Sequence, residues 1–225
     1  MDLSHLEVYK SQHKKIRIGN DFDGGYIICD IPNIKYDIFI SGGIESDISF
    51  ENAFLEKYPD LDCVAYDGTI SELPSGAHPK IQFHKKNLSS INDENYTNLQ
   101  EYFEKYNNIF MKMDIEGWED YLFASIRDDQ LSKISQLVIE FHNPYLVTVP
   151  SRLAKTHWLV HFHPNNCCGI APNGVPYVYE CTYIRKDHDS EVVPNSDPIP
   201  NPDIDMPNGN DKPEIAIYWY PFIRN

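Results

Sequence analysis

Short apolar runs alternate with amphipathic segments along the middle of the chain. The apolar runs are bounded by polar residues, which is typical of buried strands, and they lie at residues 36–40, 63–66, 81–84, 109–113 and 137–141. Apolar residues at helical spacing follow the first, third and fourth runs, at residues 50–58, 96–106 and 118–126. Because strands alternate with helices, we expect an α/β fold with a parallel sheet, helices on both faces and right-handed connections.

The segments before and after this alternation follow other patterns. Before it, we expect a short helix at residues 3–13 and then a hairpin whose tight turn is the D-G-G-Y segment at residues 23–26. After it, residues 147–155 predict a helix, and residues 157–163 and 175–185 predict two strands that pair antiparallel.

The end of the chain changes in composition. Residues 187–213 are rich in Pro, Asp and Asn, which predicts a mobile insertion, and the aromatic segment after them predicts a docked strand. We therefore predict one domain over residues 1–225, made of a cap (1–35), a core (36–185), an insertion (187–213) and a C-terminal strand (214–225).

Composition and charge narrow the range of functions. Hydrophobic residues make up 41% of the 225 positions, so the chain can bury a core. The formal net charge is −15, which disfavours nucleic acid and anionic membrane surfaces as partners. No apolar run approaches the ~20 residues that span a bilayer, and the first residues do not resemble a signal peptide. The five cysteines show no C-x-x-C spacing, which predicts reduced thiols and a cytoplasmic protein.

A pair of glycines follows the first core strand. Gly42 and Gly43 allow a sharp turn and a close backbone approach to a ligand. Asp67 ends the second strand, where a carboxylate can accept both hydroxyls of a ribose. Because Glu45 and Asp47 in the turn would repel a pyrophosphate, a nucleoside with a cationic centre such as S-adenosylmethionine fits better than a dinucleotide. The alternative is an ordinary strand-to-helix turn that binds nothing.

Acidic residues recur where the predicted strands end. In open parallel sheets ligands bind at these carboxyl ends, which here are residues 41–45, 67–69, 87–88, 114–116 and 140–143. Four of the five carry an acid, which predicts a site for cationic or polyhydroxyl ligands. The alternative is a set of solvated loop acids.

Several motifs in order resemble one family. They are I-S-G-G-I-E-S-D-I-S-F-E, A-Y-D-G-T, M-K-M-D-I-E-G-W-E, L-V-I-E-F-H, H-F-H-P-N-N and Y-V-Y-E-C-T-Y-I-R, and with the D-G-G-Y segment they resemble FkbM-type methyltransferases over residues 17–185. The resemblance implies a class I methyltransferase fold, a Rossmann-like doubly wound sheet of seven strands that is mostly parallel with an antiparallel last strand pair. It also implies S-adenosylmethionine as cofactor and O-methylation, often of a sugar or a sugar-bearing small molecule.

The resemblance assigns roles by position. It places at the cofactor Ser41, Gly42, Gly43 and Glu45 (methionine end), Asp67 and Gly68 (ribose), Asn87 and Leu88 (adenine), and Asp114 beside the methyl group. Asp114 and Glu116 would face the methyl-transfer pocket. This chain departs from many methyltransferases in having Ser41 where they carry an acid before the glycines. Glu45 or Asp47 could supply that charge.

A hydroxyl acceptor must lose its proton to a base or onto a metal. We expect His142 to be the base in a metal-free reaction, with a divalent cation on Asp114, Glu140 and His142 as the alternative. His161 and His163, in the strand at 157–163, are the other candidate bases. They and the residues that follow, Asn165 and Asn166, either contact the substrate or form a hydrogen-bonded turn.

Two other classes of function stay open. One is a metal-dependent hydrolase whose ligands are Asp114, Glu140, His142, His161 and His163, although these histidines lack the H-x-x-x-H spacing of helical zinc sites. The other is a Rossmann-like protein that binds the cofactor without turnover. The expected partner of the methyltransferase is a small-molecule or glycan acceptor.

Overall fold

The computed structural model describes residues 2–224, so Met1 and Asn225, the outer limits of the predicted domain and C-terminal strand, lie outside the described residues. The strands are β1 (Tyr9–Lys10), β2 (Lys14–Ile18), β3 (Tyr26–Asp30), β4 (Ile38–Gly42), β5 (Cys63–Tyr66), β6 (Ile81–His84), β7 (Asn87–Leu88), β8 (Tyr96–Thr97), β9 (Ile109–Met113), β10 (Ile134–Phe141), β11 (His157–Pro164), β12 (Tyr179–Arg185) and β13 (Val193–Pro194). The α-helices are α1 (Ser49–Lys57), α2 (Gln100–Lys105), α3 (Glu119–Ser125), α4 (Asp128–Leu131) and α5 (Thr148–Thr156).

A sheet of seven strands forms the centre of the molecule, in the spatial order β11-β12-β10-β9-β4-β5-β6. The five strands from β10 to β6 are parallel to one another. Strand β12 is antiparallel to both β10 and β11. The predicted α/β class is therefore confirmed as a seven-stranded, mostly parallel sheet with an antiparallel last pair, which is compatible with a Rossmann-like fold.

The central strands read as continuous apolar runs because both of their faces are covered. Phe39 on β4 and Phe110 on β9 pack against Phe54 of α1, with ring centroids 4.9 and 4.0 Å from the Phe54 ring. Ile38 and Ile40 point to the opposite face and join the core beneath α2 and α3. Each fully buried side chain of this size contributes about 1.5–3 kcal/mol. The sheet is covered by α1 and the β2–β3 hairpin on one face and by α2 and α3 on the other.

The core strands agree closely with the sequence pattern. Strands β5, β6 and β9 confirm the predicted boundaries to the residue. Strand β10 begins at Ile134, three residues before its predicted start. Helix α2 is shorter than its apolar spacing predicts, because Tyr96 belongs to the short strand β8, which pairs with β7. Within residues 2–224 no helix has the length and apolar character needed to cross a bilayer.

The predicted N-terminal helix at residues 3–13 is wrong. Only Ser4–Leu6 forms a helical turn, of the 3-10 type, and β1 then pairs with β13 from the far end of the chain. The predicted hairpin is confirmed, because β2 and β3 pair antiparallel with Ile18 opposite Tyr26. This hairpin places the Tyr26 hydroxyl near the carboxyl ends of β9 and β10, where it donates to Asp114.

The segment at residues 187–213 packs against the body rather than extending from it. Asp189 is buried and accepts hydrogen bonds from the Ser11 hydroxyl (2.6 Å) and the Gln12 amide (3.0 Å). The predicted C-terminal strand is also wrong, since Ile217 makes a single bridge to Ile199 and residues 214–224 contain no strand. Polar side chains of the segment form hydrogen bonds with the rest of the protein. The predicted mobile insertion is therefore a packed segment, although its composition is typical of disorder.

Candidate functional site

Two cavities adjoin each other at the carboxyl ends of the parallel strands. The larger has a volume of about 380 Å³ and the smaller about 120 Å³. Both are lined by Gly43, Glu45, Asp114 and Glu116, so they form one cleft divided by these four residues. The cleft lies at the edge where the sequence places the ligand and has the size of a small-molecule site.

The glycine turn is required by the protein's own packing. Gly43 has φ +77°, and a Cβ there would lie 1.6 Å from the carbonyl oxygen of Asp114. The amide of Asp114 in turn donates to the carbonyl of Gly42 at 3.0 Å. The predicted reason for this glycine, a close approach to the ligand, is therefore secondary to the contact between the ends of β4 and β9.

Asp67 lies in the smaller cavity but is already engaged by the protein. Its Oδ2 accepts hydrogen bonds from the amides of Ile44 (3.0 Å) and Glu45 (2.8 Å). Its Oδ1 accepts from the amide (2.7 Å) and the hydroxyl (2.6 Å) of Thr69. Burial alone would raise the pKa of Asp67, but these hydrogen bonds outweigh it and lower the pKa. As placed, Asp67 orders the turn, and a ribose hydroxyl would have to replace one of these donors.

The smaller cavity has apolar walls and a polar rim. Tyr66, Leu88, Ile115 and Trp118 form the walls, and Thr69, Lys86 and Asn87 are polar groups along it. Trp118 is 42% exposed and packs on Tyr121, with ring centroids 5.0 Å apart. The sequence analysis assigned no role to Trp118, although it lies within the M-K-M-D-I-E-G-W-E motif.

A buried acid stands behind the glycine turn. Glu51 on α1 is 1% exposed and accepts a hydrogen bond from Ser41 at 2.5 Å. Lys112 donates to the carbonyl of Gly43 at 2.6 Å, and its Nζ lies 4.0 Å from Glu51. Burial raises the pKa of Glu51, while Lys112 and Ser41 oppose that rise. Glu51 is therefore an acid in contact with Ser41, while Glu45 lines both cavities and Asp47 lines the larger one.

The larger cavity contains a group of acids around one histidine. Three of its residues, Asp114, Glu140 and His142, each offer one ligand atom, and these three atoms lie within 4.8 Å of one another. The hydroxyl of Tyr26 donates to Asp114 Oδ2 at 2.7 Å, and Asn165 Nδ2 donates to Glu140 Oε1 at 3.0 Å. The ends of β9 and β10 therefore bring these three residues together as the sequence predicts.

His142 is surrounded by carboxylates. Its Nδ1 lies 3.1 Å from Glu119 Oε1, and its Nε2 lies 3.7 Å from Asp114 Oδ1 and 3.4 Å from Glu116 Oε2. Burial favours the neutral ring, but Glu119 and then Glu140 and Asp114 outweigh it and raise the pKa of His142 to about 9. In the absence of another cation the ring is an imidazolium at neutral pH, so a role as general base requires that it first lose this proton.

Two carboxyl groups beside His142 have a raised pKa. Glu140 is 4% exposed, and burial with the nearby charges of Asp114 and Glu180 raises its pKa well above the usual value. Burial and the charge of Asp114 also raise the pKa of Glu116, although His142 opposes this. Such shifts are typical of functional sites where like charges converge.

Three of the four predicted substrate residues lie outside the cleft. His163 is 1% exposed and lies between Glu180 (3.4 Å) and Glu214 (3.2 Å), while His161 Nε2 is 2.9 Å from Asp205 Oδ1. Asn166 ties the loop at residues 209–212 by hydrogen bonds to the backbone of Gly209 and Lys212. These three residues make hydrogen bonds or ion pairs within the protein rather than lining the cleft. Of the four, Asn165 alone lines the larger cavity.

Most of the predicted cofactor residues do line the cleft: Gly43, Glu45, Asp67, Gly68, Asn87, Leu88 and Asp114. Ser41 and Gly42 lie behind it in strand β4. A scan against models of known protein families finds no match for this chain, and a search of the curated proteins finds none either.

Proposed function

We propose that this chain is an S-adenosylmethionine-dependent methyltransferase that methylates a hydroxyl of a carbohydrate or another small molecule. The observation that carries the proposal is the cleft, in which a cavity with aromatic and apolar walls opens into an acidic pocket with titratable groups. The seven-stranded order with its antiparallel last pair and the FkbM-type motifs support it. The class I methyltransferase fold is part of this proposal.

The chemistry of the cleft suits a nucleoside with a cationic end. Leu88 and Trp118 offer apolar surface for a base, and Thr69 and Asn87 offer polar groups for a ribose. Glu45 and Asp114 line both cavities and place negative charge where the cationic end would lie. The cofactor supplies an electrophilic methyl group on a sulfonium, and the protein's part is to hold donor and acceptor in line.

The acceptor would lie in the larger cavity, among Asn165, Glu116 and the Asp114–Glu140–His142 group. Carboxylates and an amide there can bind sugar hydroxyls by hydrogen bonds. Glu116 is mostly exposed, with 68% of its side chain accessible, so it can pass a proton between the pocket and solvent.

Thermal unfolding with S-adenosylhomocysteine in EDTA tests the proposal. A ligand that binds only the native state adds about 2.7 kcal/mol at 100 times its Kd, or about 5–10 °C for a chain of this size. Trp118→Ala should lose most of that shift, because it removes a wall of the smaller cavity. Tyr121→Ala is the matched control, since Tyr121 packs on Trp118 but does not line the cavity.

The absence of a shift in the wild-type protein at saturating ligand would contradict the proposal. A shift without methyl transfer to any of a panel of sugars, sugar nucleotides and sugar-bearing natural products would favour the non-catalytic alternative. Equal loss of the shift in both variants would place the nucleoside elsewhere.

A metal-dependent hydrolase is the second candidate, because the Asp114–Glu140–His142 group is a plausible set of ligands. It lacks the additional ligands expected from the sequence, since His161 and His163 pair with other acids outside the cleft. The hydrolase predicts metal-dependent hydrolysis and no stabilisation by S-adenosylhomocysteine.

A further inference from the structure

The mixed group in the larger cavity has the donor atoms of a cation site. Asp114 follows β9, Glu140 lies in β10 and His142 follows it, and together they offer two carboxylate oxygens and one imidazole nitrogen within 4.8 Å of one another. Ligands about 2.1 Å from Mg²⁺ lie about 3.0 Å apart when adjacent and about 4.2 Å apart when opposite. The three side chains would therefore move closer together around an ion.

An unpaired oxygen points to a missing partner in this group. Asp114 Oδ1 is buried and accepts no hydrogen bond, while Oδ2 accepts one from Tyr26. A buried acceptor without a donor costs about 1–3 kcal/mol, and more when the group is charged. The nearest cationic group, His142 Nε2, is 3.7 Å away, which is too far for a hydrogen bond. A cation between the two atoms would remove this cost.

The surrounding residues hold each of the three side chains by one atom. Tyr26 holds Asp114, Asn165 holds Glu140, and Glu119 contacts His142 at Nδ1. Glu119 is 1% exposed, so it is a fixed acceptor for an Nδ1 proton. With that proton on Nδ1, Nε2 presents its lone pair to the group. A carboxylate that orients a histidine in this way is the usual outer partner of a metal-bound imidazole.

The residues around the group carry an excess of negative charge, which also favours a bound cation. Four carboxylates, those of Asp114, Glu116, Glu119 and Glu140, surround one imidazole, and the nearby Lys112 is tied to Gly43 and Glu51. The cavity gives an ion access from solvent, because 24% of the Asp114 side chain is exposed.

We propose that Asp114, Glu140 and His142 bind one divalent cation of the Mg²⁺ or Mn²⁺ class. Carboxylate and imidazole ligands suit such ions, and three protein ligands leave positions for an acceptor oxygen and water. The use of the ion in methyl transfer rests on the proposed function, whereas the ion site itself does not. Such an ion would lower the pKa of the acceptor hydroxyl; Glu116 would take its proton, and the oxygen would bond to the methyl carbon as the carbon–sulfur bond breaks.

Titration of the wild-type protein with Mn²⁺ alone, followed by electron paramagnetic resonance of the free ion, tests the site without any nucleoside. We expect one saturable site, and Asp114→Asn should weaken it by ~10-fold or more, at least the loss seen when an outer partner is removed. Asp23→Asn is the control, because Asp23 is an exposed acid on the same cavity but outside the group.

A spectroscopic measurement on the wild-type protein tests the same site even if Asp114→Asn folds poorly. Pulsed measurements on the wild-type complex should show coupling of Mn²⁺ to one imidazole ¹⁴N, which His142→Gln removes. No saturable binding, no nitrogen coupling, or an equal loss of affinity in Asp23→Asn and Asp114→Asn would overturn the proposal. Since the S-adenosylhomocysteine shift is measured in EDTA, failure of the ion site and failure of the methyltransferase proposal give different results.

Discussion

Two residues that line the cleft, Gly43 and Asp67, also hold the backbone around it in place. Gly43 lets the ends of β4 and β9 touch, and Asp67 holds the turn that follows β4 with all of its hydrogen bonds. Both were predictable as important positions from their spacing. Their detailed roles were not, because they depend on the backbone of β9 and on Thr69.

The residues that sequence reasoning missed share one property. Glu51, Lys112 and Trp118 all lie within the quoted motifs, but the sequence does not show which groups their side chains contact. Their role follows only from the fold, which turns Glu51 and Lys112 toward Ser41 and the glycine turn.

Gly43→Ala should be much more destabilising than Gly76→Ala. Both glycines have positive φ, +77° and +86°, so each alanine pays a conformational cost of about 1–2 kcal/mol. A Cβ at residue 76 meets open space, whereas one at residue 43 meets the carbonyl of Asp114 at 1.6 Å and forces β4 and β9 apart. Urea unfolding of the two variants measures the difference, and equal losses would show that the two strand ends do not pack as described.

At the scale of elements, the parallel core was predictable and the two chain ends were not. Buried parallel strands give uninterrupted apolar runs, so β5, β6 and β9 could be read directly. The N-terminal segment and residues 187–224 depend on contacts between distant parts of the chain, such as β1 with β13 and Ile199 with Ile217. The local sequence cannot predict pairings between residues so far apart in the chain.

His163 links β11 to β12 and to the C-terminal segment, and this predicts a pH-dependent stability. Burial lowers its pKa, but Glu180 and Glu214 outweigh burial, with Asp205 adding to them, and raise the pKa to about 10. Because the pKa of His163 is higher in the folded state, its protonation stabilises the folded protein. This contribution is complete below the unfolded pKa of about 6.5 and is lost as pH rises toward 10.

Melting temperatures measured between pH 6 and 10 test this link. The wild-type protein should lose on the order of a few kcal/mol of stability across that range, and His163→Gln should start lower and change much less. Comparing the two proteins removes the titration of other groups from the difference. Parallel curves for wild type and variant would show that His163 is not held as an imidazolium by Glu180 and Glu214.

The whole molecule combines a formal charge of −15 with an acidic cleft at one edge of its sheet. The acids that line the larger cavity are Asp23, Glu45, Asp47, Glu51, Asp114, Glu116 and Glu140, against Lys112 and His142. This excess favours cationic ligands and metal ions and disfavours phosphates. The proposed sulfonium nucleoside and the proposed divalent cation would each bring positive charge to this excess of acids.

A crystal structure of the protein with S-adenosylhomocysteine tests the central claim most directly. We predict the adenine in the smaller cavity against Trp118 and Leu88, and the sulfur at the opening toward Asp114 and His142. This arrangement would place the methyl group at the entrance of the acidic pocket. A ligand bound outside the cleft, or a cleft without ligand in crystals soaked at saturating concentration, would contradict the proposed function.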